Sequence, residues 1–531
     1  MKTLKVLDVT LRDGGCVNDF NFGQVYMEKI LAAQEASGVE IIELGYIDGK
    51  KGSESGRTQY INEQVIPACI LKNKKPGVTY VAMMDYGKFD IDKLGNRTEN
   101  GIDGIRMAFH KKNRQDIIAS GRKIMDKGYE FYVQPMITLR YSDAELIGLI
   151  NLVNQELPDA AGFYIVDSFG EMRPHDIGRI VSLVDHNLTP DMPLGFHSHN
   201  NLQMSYSNAV AFVQFPTNRD LMLDCSIMGM GKGAGNLNTE LLLEHLNTYC
   251  GKQYKIGPLL EVIDKVINQL RDEFYWGYAL EYYLSSANHC TPSYASHFYN
   301  KHMLPIDQVS ELLGKIAEDK KISFDKVYAE ELYRQYNASK SVDDSRVVAE
   351  LRKEFKGKKA LVIAPGKSII GAEEVIKGYL DREDVVSIGL NLTADIPVNY
   401  LLTTRWDVYE AAVSDGKNIL VTSNISKGGR GRVKVLDYER WIDVDDRIHD
   451  SSSVIALNLL MACGVKKVIL AGMDGFSINI NENYADSNMR RPLNAEQAEC
   501  RNSYYKKFIE AVRLDGTDIE FITPSKYNTR A

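Results

Sequence analysis

Between residue 4 and about residue 245, short apolar runs alternate with amphipathic stretches at intervals of roughly thirty residues, the spacing of strand–helix units around a parallel sheet. The runs are Leu4–Leu11, Glu40–Gly45, Val78–Met84, Gly104–Phe109, Phe131–Ile137, Gly162–Val166, Leu194–Phe196 and Leu221–Cys225. Eight such runs are the number that closes a (β/α)8 TIM barrel. An open doubly wound sheet would accommodate most of the same strands, so the choice rests on the polar residues that follow them. Arg12 with Asp13, Glu43, Arg106 with His110, Asp167 with Ser168, His197 with His199, and Asp224 all stand at carboxyl ends of runs. A closed barrel brings those ends to one mouth, where active sites of this architecture lie.

Past residue 250 the strand signal fades. Leu259–Leu270 carries apolar positions at helical spacing, and Phe274, Tyr275, Trp276, Tyr278, Tyr282 and Tyr283 crowd the stretch that follows. A helical subdomain is predicted here, packed on the barrel or on a second copy, with a homodimer as the expected assembly. After the charged stretch Arg352–Lys359 the α/β rhythm resumes. Ala360–Ala364 leads into Pro365, Gly366, Lys367 and Ser368, and Lys467–Ala471 leads into Gly472, Met473, Asp474 and Gly475. Such strand-to-loop transitions place ligands at the carboxyl edge of an open sheet. The predicted organisation is a barrel over 1–250, a helical subdomain over 251–345 and a Rossmann-like α/β domain over 346–531.

Composition narrows the class of function. A formal net charge of −8 and a pI near 5.8 argue against a nucleic-acid partner. No apolar run approaches the ~20 residues a bilayer requires, and Met1–Val6 enters a strand directly with no signal-peptide core. A cytoplasmic protein handling small molecules is expected. The seven cysteines are scattered and never form a Cys-x-x-Cys pair, which excludes a zinc ribbon and suggests reduced thiols.

Candidate chemistry begins with His197 and His199. At i and i+2 of a strand they share a face and offer two nitrogen ligands to one divalent cation. Asp13 adds a carboxylate and Arg12 a guanidinium at the end of the first strand. Far along the chain, Gly229, Gly231, Gly233 and Gly235 put four glycines in seven residues just before Asn236. Such a loop is unfavourable unless the backbone needs unusual geometry near a ligand, and it presents the Asn236 amide oxygen as a further donor. Mixed N/O ligation of this sort suits Mn2+, Mg2+ or Zn2+ without choosing among them.

The runs Leu7–Gly14, His197–Asn200 and Gly229–Asn236 resemble, in order, the motifs of the DRE-TIM metallolyase superfamily, and within it those of the 4-hydroxy-2-oxovalerate aldolases. The resemblance spans about residues 4–240. It implies a divalent metal, usually Mn2+ with Mg2+, Zn2+ or Co2+ as alternatives, held by Asp13, His197 and His199 with Asn236 nearby. It also implies that Arg12 stabilises enolate charge, that Glu43 belongs to the same signature, and that the reactants are a 2-oxo acid and an aldehyde. The chain departs from the family at the catalytic histidine, whose position holds Cys16, and at a second histidine matched by Tyr46; Cys16, Tyr46, His110 and Tyr294 are the candidate proton carriers. More loosely, Gly366, Ser368, Asn391, Ser451–Ser453 and Asp474 resemble Rossmann-like domains of surface-polysaccharide proteins of the sialyltransferase kind. That resemblance implies a nucleotide sugar, with phosphate held near Gly366 and Ser368, and a place in surface-sugar synthesis. Alternatives are a Claisen-type acyltransferase using acetyl-CoA, similar to isopropylmalate synthase, or a nucleotide-sugar-binding or glycosyltransferase protein with a degenerate barrel.

Overall fold

The computed structural model describes residues 3–49, 54–71, 74–301, 303–392, 396–428, 431–442, 451–489 and 493–528. The chain divides into two compact units, Met1–Ala295 and Ser296–Ala531. The helices predicted over 251–345 are shared between them: Gly257–Val262, Asn268–Glu273 and Leu280–Ala287 belong to the first, and Ile306–Gly314 and Lys326–Ala338 to the second.

In the first unit the strands are β1 Leu4–Asp8, β2 Ile41–Ile47, β3 Gln59–Tyr60, β4 Thr79–Asp85, β5 Gly104–Phe109, β6 Glu130–Pro135, β7 Gly162–Asp167, β8 Leu194–Ser198 and β9 Leu221–Cys225. All pairings are parallel. Strand order runs β1-β9-β8-β7-β6-β5-β4-β2, and pairing of β1 with β2 closes the cylinder, with the short β3 added outside β2. This is the eight-stranded TIM barrel that the alternating pattern predicts. Strand one stops three residues earlier than expected, because Val9 to Asp13 turn out of the sheet, with the N–H groups of Arg12 and Asp13 both donating to Val9 O.

The strands are buried on both faces, as parallel sheets are. Inside the cylinder Leu7, Val9, Ile41, Val81, Tyr132, Tyr164, Val166 and Met222 form one apolar plug. Two tyrosines fit because their neighbours are glycines. A Cβ at Gly195 would lie 2.4 Å from the Tyr164 ring, and one at Gly162 would lie 2.3 Å from Met222 Cε. Outside the cylinder a second, larger core lies between strands and helices. Helix Asp143–Glu156 illustrates how local sequence sets its start: Ser142 accepts from the Glu145 N–H, and the Glu145 carboxylate accepts from the Ser142 N–H, a capping box.

The second unit carries β10 Lys359–Ile363, β11 Val385–Leu390, β12 Tyr400–Thr403, β13 Ile419–Thr422, β14 Val433–Leu436, β15 Lys467–Ala471 and β16 Asp518–Phe521. They form one parallel sheet in the order β14-β13-β12-β11-β10-β15-β16. The chain builds outward from β10 and then returns to its other side with β15, so the strand order reverses between those two strands. Ligands of open α/β sheets bind at such a reversal. No helix among the described residues is long and apolar enough to cross a membrane.

Candidate metal centre

Asp13, His197 and His199 meet at the barrel mouth. Each offers one ligand atom, and those atoms lie within 4.8 Å of one another. The turn after β1 delivers Asp13, and the end of β8 delivers both histidines on one face. Nε2 of His197 lies 3.7 Å and Nε2 of His199 lies 3.6 Å from Asp13 Oδ2. That oxygen is buried with no hydrogen-bond partner, and Asn236 Oδ1 is in the same condition. Orphaned buried acceptors facing two imidazole nitrogens form a donor set that fits a divalent cation.

Each candidate ligand is held from behind. His197 Nδ1 donates to Asp224 Oδ2 at 2.9 Å, leaving Nε2 for the centre, and His199 Nδ1 lies 3.2 Å from the carbonyl of Lys232. The glycine loop brings Asn236 alongside. Asn236 pairs with His199 through an isolated antiparallel bridge, and its N–H donates to Gly229 O at 2.9 Å. A Cβ at Gly231 would sit 2.3 Å from Asn236 Nδ2 and 3.5 Å from Asp13 Oδ2, so the backbone approach requires glycine there.

Behind the ligands runs a buried ion network. Arg12 Nε donates to Glu43 Oε2 at 2.6 Å, and Arg12 Nη1 lies 3.3 Å from Asp13 Oδ1. Arg106, fully buried, faces Glu43 at 3.0 Å, pairs with Asp224, and stacks on Tyr164 with 4.8 Å from its Cζ to the ring centre. The order His197–Asp224–Arg106–Glu43–Arg12–Asp13 is therefore an unbroken chain of contacts around the mouth. Arg12 Nη2 remains buried without an acceptor.

Electrostatics follow from this packing. Burial alone would raise the Asp13 carboxyl, but Arg12 and the two imidazoles hold it well below the usual carboxylate range. Burial lowers His199 to about 4, so its ring is neutral and available as a ligand at physiological pH. Cys16, beside Asp13 in the turn Gly14–Cys16, reaches solvent at the mouth, yet desolvation by the surrounding protein and the Asp13 charge push its thiol up to about 12. A thiol of that kind is neutral and a poor base. His110, after β5, is half-buried and its pKa is lowered by burial. Tyr294 lies fully buried in the helix Pro292–Tyr299. Tyr46 is stacked at 6.0 Å on Phe20, and burial together with the Asp85 carboxylate pushes its hydroxyl well above the usual range. Asp85, the last residue of β4, was not singled out from the sequence, although it too stands at the carboxyl end of a barrel strand.

In the second unit a cavity of about 740 Å3 opens at the strand reversal, lined among others by Gly366, Asn391, Ser452, Asp474, Arg501 and Tyr505. Gly366 and Asp474 thus lie where the sequence predicts a ligand, but the predicted phosphate donors are engaged elsewhere. The Gly366 N–H donates to Gly472 O at 3.0 Å, and the Ser368 N–H and hydroxyl both go to the Asp474 carboxylate. A Cβ at Gly366 would lie 2.1 Å from Gly472 O, so this glycine serves the close approach of two loops.

A family model described as HMGL-like matches residues 3–264. Among curated proteins, 4-hydroxy-2-oxovalerate aldolase 2 of Comamonas testosteroni is 32% identical over 247 residues, 46% of this chain and 68% of the relative. The 4-hydroxy-2-oxovalerate aldolase of Pseudoalteromonas translucida is 28% identical over 292 residues, 52% of this chain and 82% of that protein. Among solved structures, the N-terminal domain of a Bacteroides vulgatus protein assigned as an aldolase is similar with a TM-score of 0.48 and 25% identity, covering 56% of this chain and 96% of that one.

Proposed function

The chain belongs to the HMGL-like family, and from that premise we propose that its barrel is a divalent-metal-dependent aldolase that breaks or forms the C3–C4 bond of a 4-hydroxy-2-oxo acid. The observation that carries this is the pair of orphaned atoms at the mouth, an acceptor on Asp13 between two imidazoles and a donor on Arg12 beside it. Asp13, His197 and His199, with Asn236 alongside, hold the cation, proposed to be Mn2+. When bound it supplies a Lewis acid for a carbonyl that becomes an enolate.

The chain's own groups do the rest. Breaking the C3–C4 bond leaves negative charge on the oxygen at C2, and Arg12 Nη2, fixed by the bond from Arg12 Nε to Glu43, is a preorganised donor for it. Arg106 and Asp224 keep His197 and Glu43 in place. The products are a pyruvate-like acid and an aldehyde. The test is release of 2-oxo acid from 4-hydroxy-2-oxo acids with Mn2+ present, expected in the parent and lost in Asp13→Ala and His197→Ala. Turnover surviving in those variants refutes the proposal, and condensation that consumes acetyl-CoA in place of cleavage favours the Claisen alternative.

We further propose that the second unit takes a nucleotide sugar, which would place the aldol chemistry in surface-sugar synthesis. Support comes from the cavity at the strand reversal, where Arg501, stacked at 5.2 Å on Phe476, supplies positive charge. Calorimetric titration with CMP-, UDP- and GDP-sugars checks this, and absence of binding to all three removes it.

A further inference from the structure

The glycine loop that borders the metal centre carries a single charge. From Gly229 to Asn236 it reads Gly-Met-Gly-Lys-Gly-Ala-Gly-Asn, and Met230, Ala234 and Asn236 are buried. Lys232 is the one side chain of this loop that is exposed. Its main chain is nevertheless fixed against the centre. The Lys232 carbonyl lies 3.2 Å from His199 Nδ1, and a Cβ on the preceding residue, Gly231, would lie 3.5 Å from Asp13 Oδ2. A lysine anchored there holds its ammonium on a flexible stem at the rim of the mouth. Its charge reaches the His199 ring and the Cys16 thiol, and among the described residues no carboxylate pairs with it.

The charges around the mouth say what such a group is free to do. The ion network holds three carboxylates, Asp13, Glu43 and Asp224, against two guanidiniums, Arg12 and Arg106. With both imidazoles in the neutral form that ligation requires, it carries one net negative charge. A divalent cation reverses that to one net positive charge, which the carboxylate of a 2-oxo acid cancels. Asp85 and Asp167, at the ends of β4 and β7, are pushed by burial toward the neutral form, Asp167 to about 7. The inner site is thus matched to the acid half of the substrate, and the Lys232 ammonium is surplus to that balance.

We propose that Lys232 is a specificity-determining residue of the barrel, pairing with a negatively charged group, carboxylate or phosphate, on the aldehyde half of the substrate. This deepens the aldolase proposal and rests on it. The floor of the cylinder is filled by Leu7, Val9, Tyr132, Tyr164, Val166 and Met222. A 2-oxo acid seated at Asp13, His197 and His199 therefore extends C4 and the atoms beyond it toward solvent, the side on which Lys232 stands exposed.

Calorimetry of the Mn2+-loaded chain compares 2-oxoadipate, with a carboxylate at C6, and 2-oxohexanoate, with a methyl there; neither has a C4 hydroxyl to react. The parent is expected to bind 2-oxoadipate about 10-fold tighter, Lys232→Met to lose most of that ratio and Lys232→Arg to keep it. Condensation of pyruvate with succinic semialdehyde, glyceraldehyde 3-phosphate and butanal separates carboxylate from phosphate. Relative to butanal, kcat/KM for the preferred anionic aldehyde is expected to fall about 10-fold in Lys232→Met, chiefly through KM, and the parent's preference to shrink as salt is raised. A parent that binds the two acids equally, or a Lys232→Met variant that weakens charged and uncharged ligands alike, overturns the inference alone. A parent that neither condenses any aldehyde nor exchanges the methyl protons of pyruvate with D2O overturns it together with the aldolase proposal.

Discussion

Replacing Asp224 by Asn asks whether the metal centre depends on the buried network behind it. Asp224 stands between His197 Nδ1, at 2.9 Å, and the guanidinium of Arg106, and it is buried. Asparagine keeps an oxygen of similar position but removes the charge. His197 then loses the carboxylate that makes Nε2 a stronger ligand, and removal of such an outer partner lowers metal affinity by about 10–100-fold, which is about 1.4–2.7 kcal/mol. Arg106 retains Glu43 at 3.0 Å, so the loss of folding stability should stay below the ~3–5 kcal/mol of a buried charge left wholly unpaired. Protein stripped by chelator and titrated with Mn2+ in a calorimeter gives the affinity, and a thermal melt of the same samples gives the stability. The expected order is parent tightest, Asp224→Asn weaker by that factor, Asp13→Ala without measurable binding. Asp224→Asn binding as tightly as the parent, with Asp13→Ala still dead, would refute the claim that the network orients His197 and leave strand geometry alone responsible.

Gly195→Ala should destabilise the first unit by about 1–3 kcal/mol, because its methyl meets the Tyr164 ring at 2.4 Å inside a filled barrel; chemical denaturation measures it, and an unchanged midpoint contradicts the packing described. Glu330 is held at about 2: burial would raise it, but His297 at 2.9 Å and Lys301 at 3.0 Å outweigh that. A carboxyl depressed in the folded state adds stability that is present above its unfolded value of about 4.5 and is lost as pH falls toward 2. Glu330→Gln is therefore expected to melt at lower temperature than the parent at pH 7, with the gap, at most about 3 kcal/mol, narrowing as the pH is lowered from 4.5; a gap independent of pH speaks against this ion pair.

Strand periodicity and the residues ending each run were enough to predict a closed barrel, because apolar runs of strand length and the alternation of faces are local properties that every parallel sheet imposes. The same locality made His197 and His199 legible as a pair, and the glycine-dense loop before Asn236 legible as a close approach. What the sequence could not express is convergence across the chain. That Asp13 meets two histidines delivered by the end of β8, and that Arg106 bridges Glu43 and Asp224, both depend on closure of the cylinder and on side-chain contacts between distant residues. In the second unit, Gly366 and Ser368 were legible as a loop after a strand, but the Gly472 carbonyl and the Asp474 carboxylate that engage their donors come from more than a hundred positions away, and only the folded sheet brings β10 beside β15.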